Sequence, residues 1–157
     1  MTFNGLPLHP LIVHVVVVFA PLAGIGAIVY AVMPRWRWWL RWPLVAAAVI
    51  SAVAGVIAVQ SGHSLLNSRP DLRPLVQTHQ HRGKLLELVM IAFLVPVGLS
   101  AWLLGGPSAL VSGGGARQPV ARVVGIGLQV LLLVGAVAVL VMVFLTGDSG
   151  ARAIWGQ

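Results

Sequence analysis

Residues 11–33 read LIVHVVVVFAPLAGIGAIVYAVM, a run with no Asp, Glu, Lys or Arg. Coiled as an α-helix it is long enough to cross a hydrocarbon layer of about 30 Å. Where no water is available, a helix satisfies every main-chain polar group within its own segment, so this stretch is read as a membrane-spanning helix. Three further stretches meet the same test: 43–59, 85–104 and 125–145. The whole chain has the matching composition, 59% hydrophobic and 8% charged with a mean hydropathy of +0.97. Soluble domains carry roughly a quarter charged residues. The expected fold is all-α: one integral membrane four-helix bundle over residues 1–157, with no room for a separate soluble domain. The first span lacks a basic leader and a small-residue cleavage site, so it is expected to stay in place.

The chain has no cysteine. That removes disulfides, iron–sulfur clusters, blue copper, thiolate-ligated haem and covalently attached haem, and leaves histidine, carboxylate and methionine chemistry. The net charge of +7 would suggest nucleic acid in a soluble protein. Here the basic residues flank the spans, so the expected partner is the lipid bilayer with its anionic headgroups, and no nucleic acid.

The connections sort the residues between the two membrane surfaces. Residues 33–42, MPRWRWWLRW, hold three arginines and four tryptophans without an acid, a composition suited to a headgroup boundary. Residues 105–119, rich in glycine and serine, join spans three and four on the same side. The connection 61–84 lies on the other side with both termini, and its end, 76–84, is expected to begin the third helix before it enters the bilayer. That second surface receives all five histidines and all three acids, Asp71, Glu87 and Asp148. Arginine and lysine divide equally between the sides. The density of arginine in the first loop favours that loop as cytoplasmic, which puts the histidines on the outer face.

Small residues recur every four positions in span two, at Ala47, Ser51 and Gly55 and at Ala54, Ala58 and Gly62, which permits close helix approach. Gly127 and Gly135 are expected to do the same in span four, and Pro21 to kink span one. These features shape the bundle; the chemistry is sought at the histidines. In LPLHPLIVH the helix should start at His9-Pro10, with His9 as a cap or interfacial residue. His14 is then inside the span with no polar neighbour on its own helix, and needs a partner from another. In VQTHQHRGKLLE, His79, Gly83 and Glu87 fall on one stripe, and the glycine leaves a flat surface one turn from an imidazole. His81 points elsewhere and reads as solvated. His63 serves equally as ligand or as a cap for the end of span two. Glu87 can meet a histidine or Lys84, and Asp148 can cap or face the histidines.

Together LPLHPLIVH, the Ser61-Gly62 pair, VQTHQHRG and the C-terminal TGDSGARAIWG resemble the bacterial domain-of-unknown-function family 2231 over essentially the whole length. The resemblance carries His9, His14 and His79 over as motif positions and implies a bacterial cell membrane. It also implies a redox setting, because such modules are joined in some architectures to Rieske or cytochrome domains. Where the family often has a histidine in its last element, this chain has Asp148.

The leading expectation is a small b-type haem-binding electron-transfer protein or a subunit of a redox complex. Histidines from different helices hold haem without covalent attachment, and their identity and burial tune its potential. His14 and His79 are the expected axial pair, with His63 or His9 as second partner or alternative ligand, Gly83 beside the macrocycle, and Arg82 or Glu87 near a propionate. Two alternatives use the same residues: a directly bound Zn or Cu ion, or a scaffold whose histidines only bond helices together. Mid-span charges for ion-coupled transport and a nucleophile or acid pair for catalysis are both missing from the sequence.

Overall fold

Four long helices form the computed structural model, which describes residues 2–3, 6–104 and 122–155. They are α1 (Leu8–Val32, 25 residues), α2 (Arg37–Ser68, 32), α3 (Arg73–Leu103, 31) and α4 (Arg122–Trp155, 34). All four are long and apolar enough to cross a membrane. Before α1, the two-residue strands β1 (Thr2–Phe3) and β2 (Leu6–Pro7) pair antiparallel. The link between α3 and α4, expected at 105–119, lies outside the described residues.

The helices overrun the apolar spans. The connection expected at 61–84 shrinks to Arg69 and a 3-10 turn at Pro70–Leu72, and the aromatic loop shrinks to Met33 and a 3-10 turn at Pro34–Trp36. Hydropathy marks only the part of a helix that sits in hydrocarbon, whereas main-chain bonding carries the helix on until the 3-10 turns opened by Pro34 and Pro70. Span two, the shortest apolar run, therefore belongs to a helix about 48 Å long.

Around the bundle each helix packs on its two neighbours in the order α1, α2, α3, α4, which leaves α1 and α3 on one diagonal. Lipid tails give apolar helices no incentive to associate, so contact area between the backbones must do it. The core is accordingly small-sided on α1 and α2, with Ala20, Ala23, Ala27, Ala48, Ala52, Ala54 and Ala58 buried, and Leu, Met, Phe and Val from α3 and α4 fill against it. Leu140 seats on Gly24, Met90 on Gly55 and Phe93 on Gly135. Gly127, expected to act like Gly135, instead borders open space. Outward-facing Val17, Val18, Leu22 and Ile25 are exposed, as befits side chains whose solvent is lipid.

The two hairpins, α1–α2 and α3–α4, repeat one another. Val16, Ala20, Ala23, Ala27, Tyr30 and Ala31 are buried on α1; Leu86, Met90, Phe93, Val97, Ser100 and Ala101 are buried on α3 at the same spacing. On α2, Leu44, Ala48, Ser51 and Ser61 have buried counterparts in Leu132, Ala136, Val139 and Ser149 on α4. Counterparts meet across the centre: Tyr30 Oη donates to the Ser100 carbonyl at 3.1 Å, 70 residues away in sequence. This is a parallel repeat about an axis running along the bundle, the kind found when an even number of helices is duplicated.

Gly135→Val tests the packing. A Cβ there would come within 2.6 Å of the Phe93 ring, so the substitution should force α3 and α4 apart and lower stability by about 1–3 kcal/mol. Thermal unfolding in detergent, compared with Gly127→Val, should give a lower Tm for the first and little change for the second.

Candidate ligand site at the histidine end

The start of α1, the end of α2, the start of α3 and the end of α4 come together at one end of the bundle. There the second pair of counterparts meets on the axis: the rings of His9 and His79 lie 6.2 Å apart, centre to centre, and nearly perpendicular at 83°. Each is held by the neighbouring helix of its own hairpin. His9 Nδ1 bonds the Ala58 carbonyl of α2 at 2.8 Å, and His79 Nδ1 bonds the Thr146 carbonyl of α4 at 3.0 Å. A carbonyl only accepts, so both Nδ1 atoms carry the proton and both Nε2 atoms keep their lone pair while the rings are neutral.

The surroundings repeat as well. Ser61 Oγ donates to the same Ala58 carbonyl at 3.0 Å, and Ser149 Oγ to the same Thr146 carbonyl at 2.8 Å. The next residue is glycine in both helices. A Cβ on Gly62 would meet His9 Nδ1 at 3.2 Å, and one on Gly150 would meet His79 Nδ1 at 3.0 Å. Each Ser-Gly pair thus makes a seat: the glycine lets the ring lie against the helix, and the serine hydroxyl shares the carbonyl that anchors the ring.

The other expected ligands are arranged differently. The ring that meets His79 is that of His9, not His14. Five residues along α1 turn a side chain by about 140°, so His9 facing the interior leaves His14 on the outside. His14 is exposed, and its Nδ1 bonds the Pro10 carbonyl of its own helix at 2.6 Å. His9 is correspondingly no simple cap: Pro10 needs no N-terminal partner, which frees the preceding side chain to turn inward. His63 is half-buried, and its Nε2 is enclosed without a partner among the described residues. His81 is exposed, as expected. Gly83 borders open space, with nothing within 4 Å of a Cβ built there.

Arginine marks one side of the site. Arg82 Nη1 donates to the Leu145 carbonyl at 2.8 Å and stands 3.9 Å from the Asp148 carboxylate, which also pairs with Arg152 Nε at 2.9 Å. Asp148 therefore answers to arginines rather than to the histidines. Among the described residues no three His, Asp or Glu side chains converge in a way that could hold a bare metal ion. Chemically, the centre offers two imidazole lone pairs from diagonal helices with a cation alongside. In the sequence the two seats are the Ser-Gly pairs near the ends of α2 and α4, Ser61-Gly62 and Ser149-Gly150.

Histidine nitrogen NMR on labelled protein should find His9 and His79 in the Nδ1–H tautomer at neutral pH. Gly62→Ala should perturb His9 first and Gly150→Ala should perturb His79 first, each with about 1–2 kcal/mol lost from the displaced bond and ring. An Nε2–H signature at either ring in the unsubstituted protein would contradict the seats.

No curated protein and no solved structure matches the chain. A family profile described as "Predicted membrane protein (DUF2231)" matches residues 5–157. With four membrane-length helices and that match over nearly its full length, the chain belongs to the DUF2231 family of predicted membrane proteins.

Proposed function

We propose that His9 and His79 would hold a b-type haem, and that the protein is a small membrane electron carrier working within a redox complex. The observation that carries this reading is the pair on the axis. The two rings come from diagonal helices and lie 6.2 Å apart, centre to centre, close enough for one bound group to be shared between them. Both are fixed at Nδ1 by a carbonyl, the outer contact that orients a metal-bound imidazole and raises its basicity.

The ligand count favours haem over a bare ion. A macrocycle supplies four of its own nitrogens and asks the protein for two, whereas zinc asks for three or four protein ligands. Gly83, one turn from His79, gives open space beside the pair, and Arg82 offers a guanidinium to a carboxylate at its edge. When bound, haem supplies reversible one-electron chemistry at its iron. The chain's own part is to hold both nitrogens in position, to keep apolar helices around them, and to set the charge nearby through Arg82 and Asp148. On this reading the histidine end is the outer face of a bacterial membrane, opposite the arginine-rich turn.

A second reading is that the two imidazoles are only ties between helices, supported by the fact that each already bonds a neighbouring carbonyl. A reduced-minus-oxidised spectrum of protein expressed with ample haem, with metal analysis of the same sample, separates the two. The haem reading expects a sharp b-type signal lost in His9→Ala and in His79→Ala but kept in His14→Ala and His81→Ala. A folded, colourless, metal-free protein would leave the tie, and stoichiometric metal without haem would make the pair part of a Zn or Cu site.

A further inference from the structure

The opposite end of the bundle carries a patch that the fold does not use. Between α1 and α2 the sequence PRWRWWLRW supplies Arg35, Arg37 and Arg41 with four tryptophans. One arginine is structural: Arg37 donates from Nε to the Tyr30 carbonyl at 2.9 Å and from Nη2 to the Ala31 carbonyl at 3.0 Å, closing the end of α1, and its guanidinium lies over the Tyr30 ring. The other two have no acceptor among the described residues. Arg35 is exposed without a hydrogen-bond or ion-pair partner among the described residues, and Arg41 has its Nε enclosed and unpartnered, with its guanidinium 4.9 Å from the centre of the Trp42 ring. All three acids of the chain belong to the histidine half.

Tryptophan surrounds these free cations. Trp36, Trp38, Trp39 and Trp42 are 45–66% exposed, each with an indole N–H and a flat apolar body of the kind that settles at headgroup depth. At the matching end of the other hairpin Leu104 N–H closes α3 onto the Ser100 carbonyl at 2.8 Å, and the described part of α4 opens at Arg122.

We infer that Arg35 and Arg41, framed by these tryptophans, form a binding site for the phosphate of an anionic phospholipid headgroup. Guanidinium groups pair with phosphate oxygens through parallel N–H donors. The guanidinium groups without an acceptor among the described residues are those of Arg35 and Arg41, and Trp36 and Trp42 stand next to them in sequence to cover the glycerol and upper acyl region. A zwitterionic headgroup brings its own ammonium to the phosphate, so an anionic lipid is the better ligand. The inference is independent of whether the histidine end holds haem.

The test uses the full-length protein in vesicles of phosphatidylcholine containing a small fraction of brominated phosphatidylglycerol or, in parallel, brominated phosphatidylcholine, with quenching of tryptophan fluorescence as the readout. The site predicts stronger quenching by the anionic lipid at equal mole fraction, and a loss of relative affinity of about fivefold for each of Arg35→Gln and Arg41→Gln. Helical circular dichroism controls for folding, and Arg122→Gln, outside the patch, should leave the preference intact. Equal quenching by the two lipids, or a preference that survives the Arg35→Gln/Arg41→Gln pair, would overturn the site. Competition by inorganic phosphate, against sulfate at the same ionic strength, would also overturn it by making the ligand a free anion.

Discussion

The bond from each imidazole Nδ1 to a main-chain carbonyl of the adjoining helix is the constraint on which the candidate site depends. It fixes the tautomer, the ring plane and the depth of the side chain in one contact. It is possible only because the residue four positions beyond that carbonyl is glycine, which lets the ring approach the helix. The serine before the glycine donates to the same carbonyl, which thus accepts from two side chains. A change at any of these three residues moves the ring.

The fold followed from the sequence because a membrane leaves so few solutions. A run such as 11–33 has to be a helix in hydrocarbon, and four runs in one short chain have to pack together. What hydropathy did not resolve was where those helices stop. Residues such as Gln60, Ser61 and Ser64 lower the apolar score without disturbing a helix, so α2 continues to Ser68 well beyond the apolar run. The expectation that His79 lies within the beginning of the third helix agrees with α3 starting at Arg73.

The site was partly legible. That histidines from α1 and α3 share one end could be read from the order of spans. Which histidine of HPLIVH turns inward could not, because both stand near the start of α1 and the choice depends on the rotation of the helix about its own axis. That rotation is set by contacts far from the motif, among them Gly24 beneath Leu140 and Tyr30 on the Ser100 carbonyl. The repeat was hidden for a similar reason. The buried positions repeat but their sizes do not, so alanine on α1 corresponds to methionine, phenylalanine or valine on α3 and the two hairpins look unlike when written out.

Carrying both hairpins on one chain has a consequence that an assembly of two identical hairpins would not share. In a homodimer, every residue on the axis meets itself, and any change is made twice. Here the two halves of each axial contact can differ: one pair is histidine and histidine, while the other is a phenol and a main-chain carbonyl. Because each hairpin enters and leaves on the same side, both partners of every such contact remain at one depth however far their sequences diverge. Covalent linkage thereby turns a symmetric channel of contacts into a set of positions that selection can alter one at a time.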